Sequence, residues 1–233
     1  GSINTTSTSV STTSGFSILK WTGDGSSSGS KTVGHGLGVA PKMVIVKKTS
    51  GTGSWWVGID IDGWNWNTDY LNLHTTSAEQ SDASGTVFYS APTSSVITLG
   101  SEINASSANY IAYAFAEKKG FSKFGSYTGN GQSDGTFIYT GFKPAFVMQK
   151  KSSGTSDWVI YDNKRSIFNV VTKELKPNSS AAESTFDGID ILSNGYKQRA
   201  NYAYTNNQGG TYIYMAFAEH PLVSSNGVPA TAR

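Results

Sequence analysis

Apolar residues in this chain fall in short runs that alternate with polar ones at a period of two, and clusters of Gly, Ser, Asn and Thr separate the runs. That pattern predicts β-strands joined by turns. Phe16, Ile18 and then Val33 open the series, and Met43-Val44-Ile45-Val46 is a continuous apolar stretch of strand length between Pro41 and a Thr-Ser-Gly-Thr-Gly turn cluster. Further strands are expected over Trp55 to Ile61, Tyr70 to His74, Thr86 to Tyr89, Ser95 to Leu99 and Asn109 to Glu117. A second series covers Phe137 to Tyr139, Ala145 to Lys150, Trp158 to Tyr161, Ile189 to Leu192, Tyr196 to Ala200 and Thr211 to Glu219. No stretch carries apolar residues at helical spacing over several turns, and Thr172 to Leu175 and Ser180 to Ser184 offer at most a turn of helix. About eight short strands per hundred residues predict an all-β fold of sandwich or jelly-roll type.

The pattern is written twice. Gly15-Phe16-Ser17 leading to Trp21-Thr22-Gly23-Asp24-Gly25 returns as Gly120-Phe121-Ser122 leading to Tyr127-Thr128-Gly129-Asn130-Gly131. Pro41 to Trp55 returns 103 residues later as Pro144 to Trp158, with eight of fifteen positions identical. Tyr110 to Glu117 returns 102 residues later as Tyr212 to Glu219, with six of eight identical. Three collinear matches at nearly one spacing mark an internal duplication. The expected organisation is two tandem pseudo-repeats forming a double β-sandwich, 15–119 and 120–223. Residues 1–14 read as a Ser/Thr-rich connector, and Gly1-Ser2 has the form of a tag scar, which would make the chain a fragment of a longer one. Residues 224–233 read as a surface tail.

Composition narrows the chemistry. Of 233 residues none is Cys, which removes disulfides, thiol nucleophiles and sulfur-ligated metals. His35, His74 and His220 are too far apart in sequence for a two-histidine metal site on one element. A net charge of +2 is too near balance for a nucleic-acid or membrane-surface binder. No run approaches the roughly 18 to 20 apolar residues of a membrane span.

Few residues look catalytic. Asp60, Asp62, Asp69 and Asp162, with Glu117 and Glu219 at the ends of the shared terminal strand, are the carboxylates that a glycan hydrolase would need in a close pair. Each Glu closes an apolar stripe, where solvent or a neighbouring Lys is the expected partner. His35, within Gly34-His35-Gly36-Leu37-Gly38, is expected to hold a tight turn by bonding a carbonyl, and Thr140 replaces it in the second copy. Asp60-Ile61-Asp62-Gly63 with Asp69 slightly resembles a calcium loop but lacks the other oxygen ligands, so an acidic solvated loop is the expectation. Asn104-Ala105-Ser106 and Asn178-Ser179-Ser180 fit the glycosylation acceptor pattern, without a secretory signal to give it meaning. No catalytic residue, metal ligand or cofactor is assigned.

The strongest functional candidate is aromatic. Trp55, Trp56, Trp64 and Trp66 fall within twelve residues, followed by Tyr70. Flat rings flanked by the amides of Asn65 and Asn67 and the carboxylate of Asp69 suit stacking on a sugar with hydroxyl recognition. Trp55 recurs as Trp158 and reads as scaffold, whereas Trp64 and Trp66 fall opposite Ile167 and Asn169, where the copies diverge. The alternative is that Trp64 and Trp66 fill a contact between lobes or subunits.

The blocks resemble a duplicated β-rich domain found at the C-terminal ends of tailed-bacteriophage virion proteins, of marine phages especially. The resemblance lies in Gly34-His35-Gly36-Leu37-Gly38-Val39-Ala40-Pro41 with Val44-Ile45-Val46-Lys47, in Ser122 to Gly131, and in Tyr161-Asp162-Asn163-Lys164-Arg165. It continues through Leu192-Ser193-Asn194-Gly195, Tyr212 to Glu219 and Asn226-Gly227-Val228-Pro229. It implies a non-enzymatic module on the virion surface, in a tail fibre, tailspike or capsid, and transfers no catalytic residue. The expected role is receptor binding to a host cell-surface glycan through Trp64, Trp66, Tyr70, Asn65, Asn67 and Asp69. The alternatives are a structural capsid or tail decoration protein and, after it, a glycan depolymerase. Expected partners are the host glycan or receptor and other virion proteins. Analogy with phage fibres allows a homotrimer, and neither nucleic acid nor membrane insertion is expected.

Overall fold

The computed structural model describes residues 1–82 and 84–219. The expected tail, 224–233, lies outside the described residues. The chain is all-β, divided into a first unit of Gly1–Leu73 with Glu79–Glu117 and a second of His74–Ala78 with Lys118 onward. That division differs from the expected one by two residues and by the short excursion His74–Ala78. The excursion belongs to the second unit because Ser156 N donates to Thr76 O at 2.7 Å and Lys150 Nζ approaches the same carbonyl at 3.4 Å.

The first unit contains β1 (Ser7–Ser11), β2 (Phe16–Thr22), β3 (Thr32–Gly34), β4 (Met43–Lys48), β5 (Trp55–Ile59), β6 (Asp69–Asn72), β7 (Gln80–Ser81), β8 (Val96–Thr98) and β9 (Asn109–Phe115). The second contains β10 (Ser122–Thr128), β11 (Phe137–Tyr139), β12 (Pro144–Lys151), β13 (Trp158–Asp162), β14 (Val171–Glu174), β15 (Ser184–Leu192), β16 (Gly195–Gln198) and β17 (Thr211–Ala218). The main sheet of the first unit runs β1-β2-β9-β4-β5-β6-β7, and that of the second runs β10-β17-β12-β13. The order β2-β9-β4-β5 thus corresponds strand by strand to β10-β17-β12-β13. Each unit has a further sheet, β3-β8 in the first and β11-β16-β15-β14 in the second.

In each unit the core lies between its two sheets. Leu19, Trp21, Val44, Val46, Tyr110 and Ala112 meet Val33 and Ile97 in the first. Val147, Val159, Tyr212 and Ala216 meet Ile138, Ile189 and Tyr196 in the second. Alternation explains β2, where Ser17, Leu19 and Trp21 are buried and the residues between them are not. Met43 to Val46 are buried without alternation because β4 is flanked by β5 and β9 and covered on both faces.

The correspondence reaches single hydrogen bonds. Trp21 stacks on its cross-strand partner Tyr110 at 5.3 Å between ring centroids, and Tyr127 stacks on Tyr212 at 4.9 Å. Trp21 Nε1 donates to Ile103 O at 3.1 Å, and Tyr127 Oη donates to Thr205 O at 2.6 Å. A buried asparagine then clamps the turn that follows. Asn104 Oδ1 accepts Asp24 N at 3.2 Å, while its Nδ2 donates to Asp24 Oδ1 at 2.9 Å and Ser26 O at 3.3 Å. Asn206 Oδ1 accepts Asn130 N at 3.0 Å, and its Nδ2 donates to Asn130 Oδ1 and Gln132 O, both at 2.8 Å. The glycosylation pattern at Asn104 therefore falls on a buried amide that is already engaged on both sides.

Three expectations are corrected. The connector pairs as β1 along β2, from Ser7↔Lys20 to Ser11↔Phe16, because an edge strand needs a backbone partner and no apolar face. Val171–Glu174, where a turn of helix was the most expected, is a strand, and Ser184 opens β15. Thr86 to Tyr89 forms no strand and keeps one bridge, Phe88↔Leu99. Among the described residues the sole helical element is the 3₁₀ turn Ser101–Ile103.

Removing either clamp takes away three hydrogen bonds to the turn, at a net of about 0.5–1.5 kcal/mol each. Asn104→Ala and Asn206→Ala are each expected to lower unfolding free energy by about 3 kcal/mol, read by urea denaturation, whereas Asn178→Ala, at the half-buried second glycosylation pattern, costs less.

Candidate functional site

The aromatic loop of the first unit joins β5 to β6, and its own polar groups shape it. Asp69 Oδ2 accepts Asn65 N at 2.8 Å, and Asp69 Oδ1 accepts Thr68 Oγ1 at 2.7 Å. Asn65 Oδ1 accepts Asn67 N at 3.1 Å, and Asn65 O accepts Asp69 N at 2.7 Å. These bonds close successive turns over Asn65–Asp69 and fix the direction in which Trp64 and Trp66 leave the backbone.

Trp66 turns inward. Its indole is buried in the core, edge-on to Phe88 at 5.2 Å and 85°. The seat exists because residue 58 is glycine: a Cβ there would lie 2.3 Å from Trp66 Cζ3 and 2.9 Å from Phe88. Trp64 is half-buried against the same core, as is Tyr70. Burial, with Asp82 and Glu102 adding to it, raises the Tyr70 phenol above its ordinary value.

A shallow cleft of about 410 Å³ opens beside this loop, lined by Asp60, Trp64, Asn65, Trp66, Asn67, Tyr89, Ser90 and Ala91. It gathers Trp64, Trp66, Asn65 and Asn67 of the expected site. Tyr70 and Asp69 do not line it: the first packs on the core and the second is spent on the loop. The expectation of an exposed Trp66 face is corrected, since only part of that ring reaches the cleft. The exposed ring is Tyr89, 43% accessible, lying over Gly29, where a Cβ would come within 2.5 Å of it. Tyr89 lay in an expected strand, remote in sequence from the tryptophans, with no sign of a role at this site. Two donors remain unmatched, since Nε1 of Trp64 and Nε1 of Trp66 are buried and meet no acceptor among the described residues. Such groups are uncommon in folded chains.

Asp60, Asp162, Glu219 and His35 have structural partners, and Asp62 is exposed. Asp60 Oδ2 accepts Lys42 Nζ at 2.5 Å. Glu219 pairs with Lys164, and Asp162 Oδ2 accepts Arg165 Nε at 2.6 Å. Among the described residues no three of His, Asp and Glu gather as a metal-holding group. His35 is buried: its Nε2 meets Thr93 O at 3.1 Å and its Nδ1 accepts Leu37 N at 3.2 Å, so both ring nitrogens serve the turn. Thr140 holds the corresponding turn by donating from Oγ1 to Phe142 O at 2.6 Å. In the second unit the loop after β13 carries, in place of the tryptophans, exposed Ile167 and Phe168.

The chain matches, over residues 1–221, the family described as Domain of unknown function (DUF7483), and it belongs to that family. No curated protein and no solved structure matches it.

Gly58→Ala is expected to cost about 1–3 kcal/mol by overpacking the Trp66 seat, with a change in tryptophan fluorescence at unchanged far-UV dichroism. Desolvation lowers the His35 pKa below the ordinary 6.5. As pH falls below that value the unfolded chain binds the proton before the folded one, so the stability of the neutral imidazole is complete above about 6.5 and is lost on acidification. The loss continues down to the lowered folded value. His35→Thr is expected to flatten the slope of unfolding free energy just below pH 6.5 by up to about 1.4 kcal/mol per unit.

Proposed function

We propose that this chain is a non-enzymatic surface module of a tailed-phage virion, of tail-fibre receptor-binding type, and that the cleft of its first unit holds a host cell-surface glycan. The observation that carries the reading is the combination in one cleft of an open Tyr89 ring, the carboxamides of Asn65 and Asn67 and the half-buried Trp64 indole. A pyranose offers an apolar C–H face to a ring and hydroxyl oxygens to N–H donors, so this set matches its chemistry. The virion setting rests on the resemblance carried by the blocks between Gly34 and Pro229. A cleft this open supports affinity on the order of millimolar per site, and several copies on one particle raise it through effective concentration.

The second reading, a structural decoration or assembly module, is favoured by the adjacent exposed side chains of Ile167 and Phe168, 70% and 77% accessible. Contiguous apolar exposure of this kind suits a protein contact. No helix among the described residues is long and apolar enough to cross a membrane.

An array of host-type surface glycans separates the readings. The full chain is expected to bind a subset, with Tyr89→Ala and Trp64→Ala each losing about tenfold, or roughly 1.4 kcal/mol, while melting within a few degrees of the parent. Binding unchanged in both variants, or absent from every glycan, contradicts the receptor-binding reading. Loss of a defined oligomer in Phe168→Asp supports the assembly reading, and release of reducing ends from host polysaccharide supports a depolymerase.

A further inference from the structure

Strands β3 and β11 occupy matching positions, and their hydrogen bonds show it. Leu99 N donates to Lys31 O at 2.9 Å and His35 N to Ser95 O at 3.2 Å, so Thr32 and Gly34, by alternation, turn their backbone groups away from β8. In the second unit Gln198 N donates to Thr136 O at 3.0 Å and Thr140 N to Asn194 O at 3.0 Å. Phe137 and Tyr139 therefore turn their backbone groups away from β16.

The two edges differ in what covers them. On β3 the N-terminal arm of the chain is seated: Ile3 N donates to Thr32 O at 2.9 Å, Ile3 bridges Val33 in parallel, and Ser2 N and Thr32 Oγ1 meet at 3.0 Å. The Ile3 side chain packs on the core of that unit. On β11, which ends its sheet among the described residues, Phe137 is 44% and Tyr139 64% accessible while Ile138 between them is buried.

We propose that the outer edge of β11 is an acceptor for an extended segment of a different polypeptide, seated in parallel as Ile3 is on β3. The chemistry of the occupant follows from the filled edge: an uncharged Ser/Thr-rich strand with a β-branched apolar residue at the place of Ile3. The arm of this chain is already seated on β3, so the arm of an identical copy, seated likewise, is not free to fill β11. Phe137 and Tyr139 flank the seat with apolar surface that a bound strand covers.

A synthetic peptide of the sequence Ser2–Ser11, titrated into the isotope-labelled full chain, serves as the probe. Expected are amide shifts confined to residues 136–140 and 194–198, absent with a peptide carrying Ile3→Asp. Tyr139→Lys, whose side chain lies outside the core and whose N–H is outside the β16 ladder, is expected to weaken them about tenfold at near-parental melting. The proposal is overturned if no shift appears at millimolar peptide, or if shifts fall only at 32–34, where the peptide displaces the arm. Shifts at 136–140 that grow with protein concentration alone overturn it in favour of pairing between copies. Slow exchange of the Phe137 and Tyr139 amides before any peptide is added overturns it in favour of a segment of the same chain.

Discussion

A single buried carboxamide holds the geometry of each unit. Asn104 and Asn206 each accept from the backbone of a Gly-rich turn and donate to a side-chain oxygen and a carbonyl of that same turn. The turn leaves the strand that carries the aromatic stack, Trp21 on Tyr110 or Tyr127 on Tyr212, and the asparagine leads into the strand that carries the other ring. Fixing the turn therefore fixes both stacked rings, and the rings set the register of β2 on β9 and of β10 on β17. Without the clamp the turn would lose three hydrogen bonds at once, at a net of about 0.5–1.5 kcal/mol each. In the first unit the clamp also holds Asp24, whose carboxyl lies well below the usual range because Ser26 N and the Asn104 amide both donate to it.

A frame fixed at one end leaves the opposite loops free to differ, and there the units diverge. In the first, the loop after β5 sends one indole into a seat left open by Gly58 and leaves a second at half depth. Its floor is rigid because Asn65 and Asp69 close the turns, and its wall is the Tyr89 ring. In the second, Arg165 is drawn onto Asp162 and Glu183, and the loop exposes aliphatic and phenyl surface. The edges diverge as well: the N-terminal arm covers β3, whereas β11 ends its sheet among the described residues. A shared body with different loops and edges suits a module that meets more than one neighbour at a surface.

The strand pattern was largely legible. Continuous apolar runs such as Met43 to Val46 declare themselves, and β11 has the bounds that alternation assigned to it. β1 was hidden because its Ser and Thr residues bury nothing and its pairing is a matter of backbone. β14 was hidden because one of its two buried positions is Glu174, which accepts from Tyr161 Oη at 3.1 Å and Ser184 Oγ at 2.9 Å, and a carboxylate in a short run does not announce a core position. The aromatic loop was legible as the point of divergence, but the depth of Trp66 depends on the side chain that Gly58 lacks, eight residues earlier on β5, and Tyr89 enters from a separate segment. The paired asparagines could have been found, since they stand 102 residues apart, the spacing of the terminal-strand repeat.

The central functional claim is that the cleft of the first unit, bounded by Tyr89 and Trp64, holds a sugar. The direct measurement follows the side-chain N–H resonances of the six tryptophans while a host surface polysaccharide is titrated into the full chain. The account predicts downfield movement of the Trp64 and Trp66 signals, saturating together with the Tyr89 ring signals, while the Trp21 and Trp158 signals stay in place. Movement confined to tryptophans outside the cleft, or no movement of Trp64 and Trp66 under saturating binding, would contradict it.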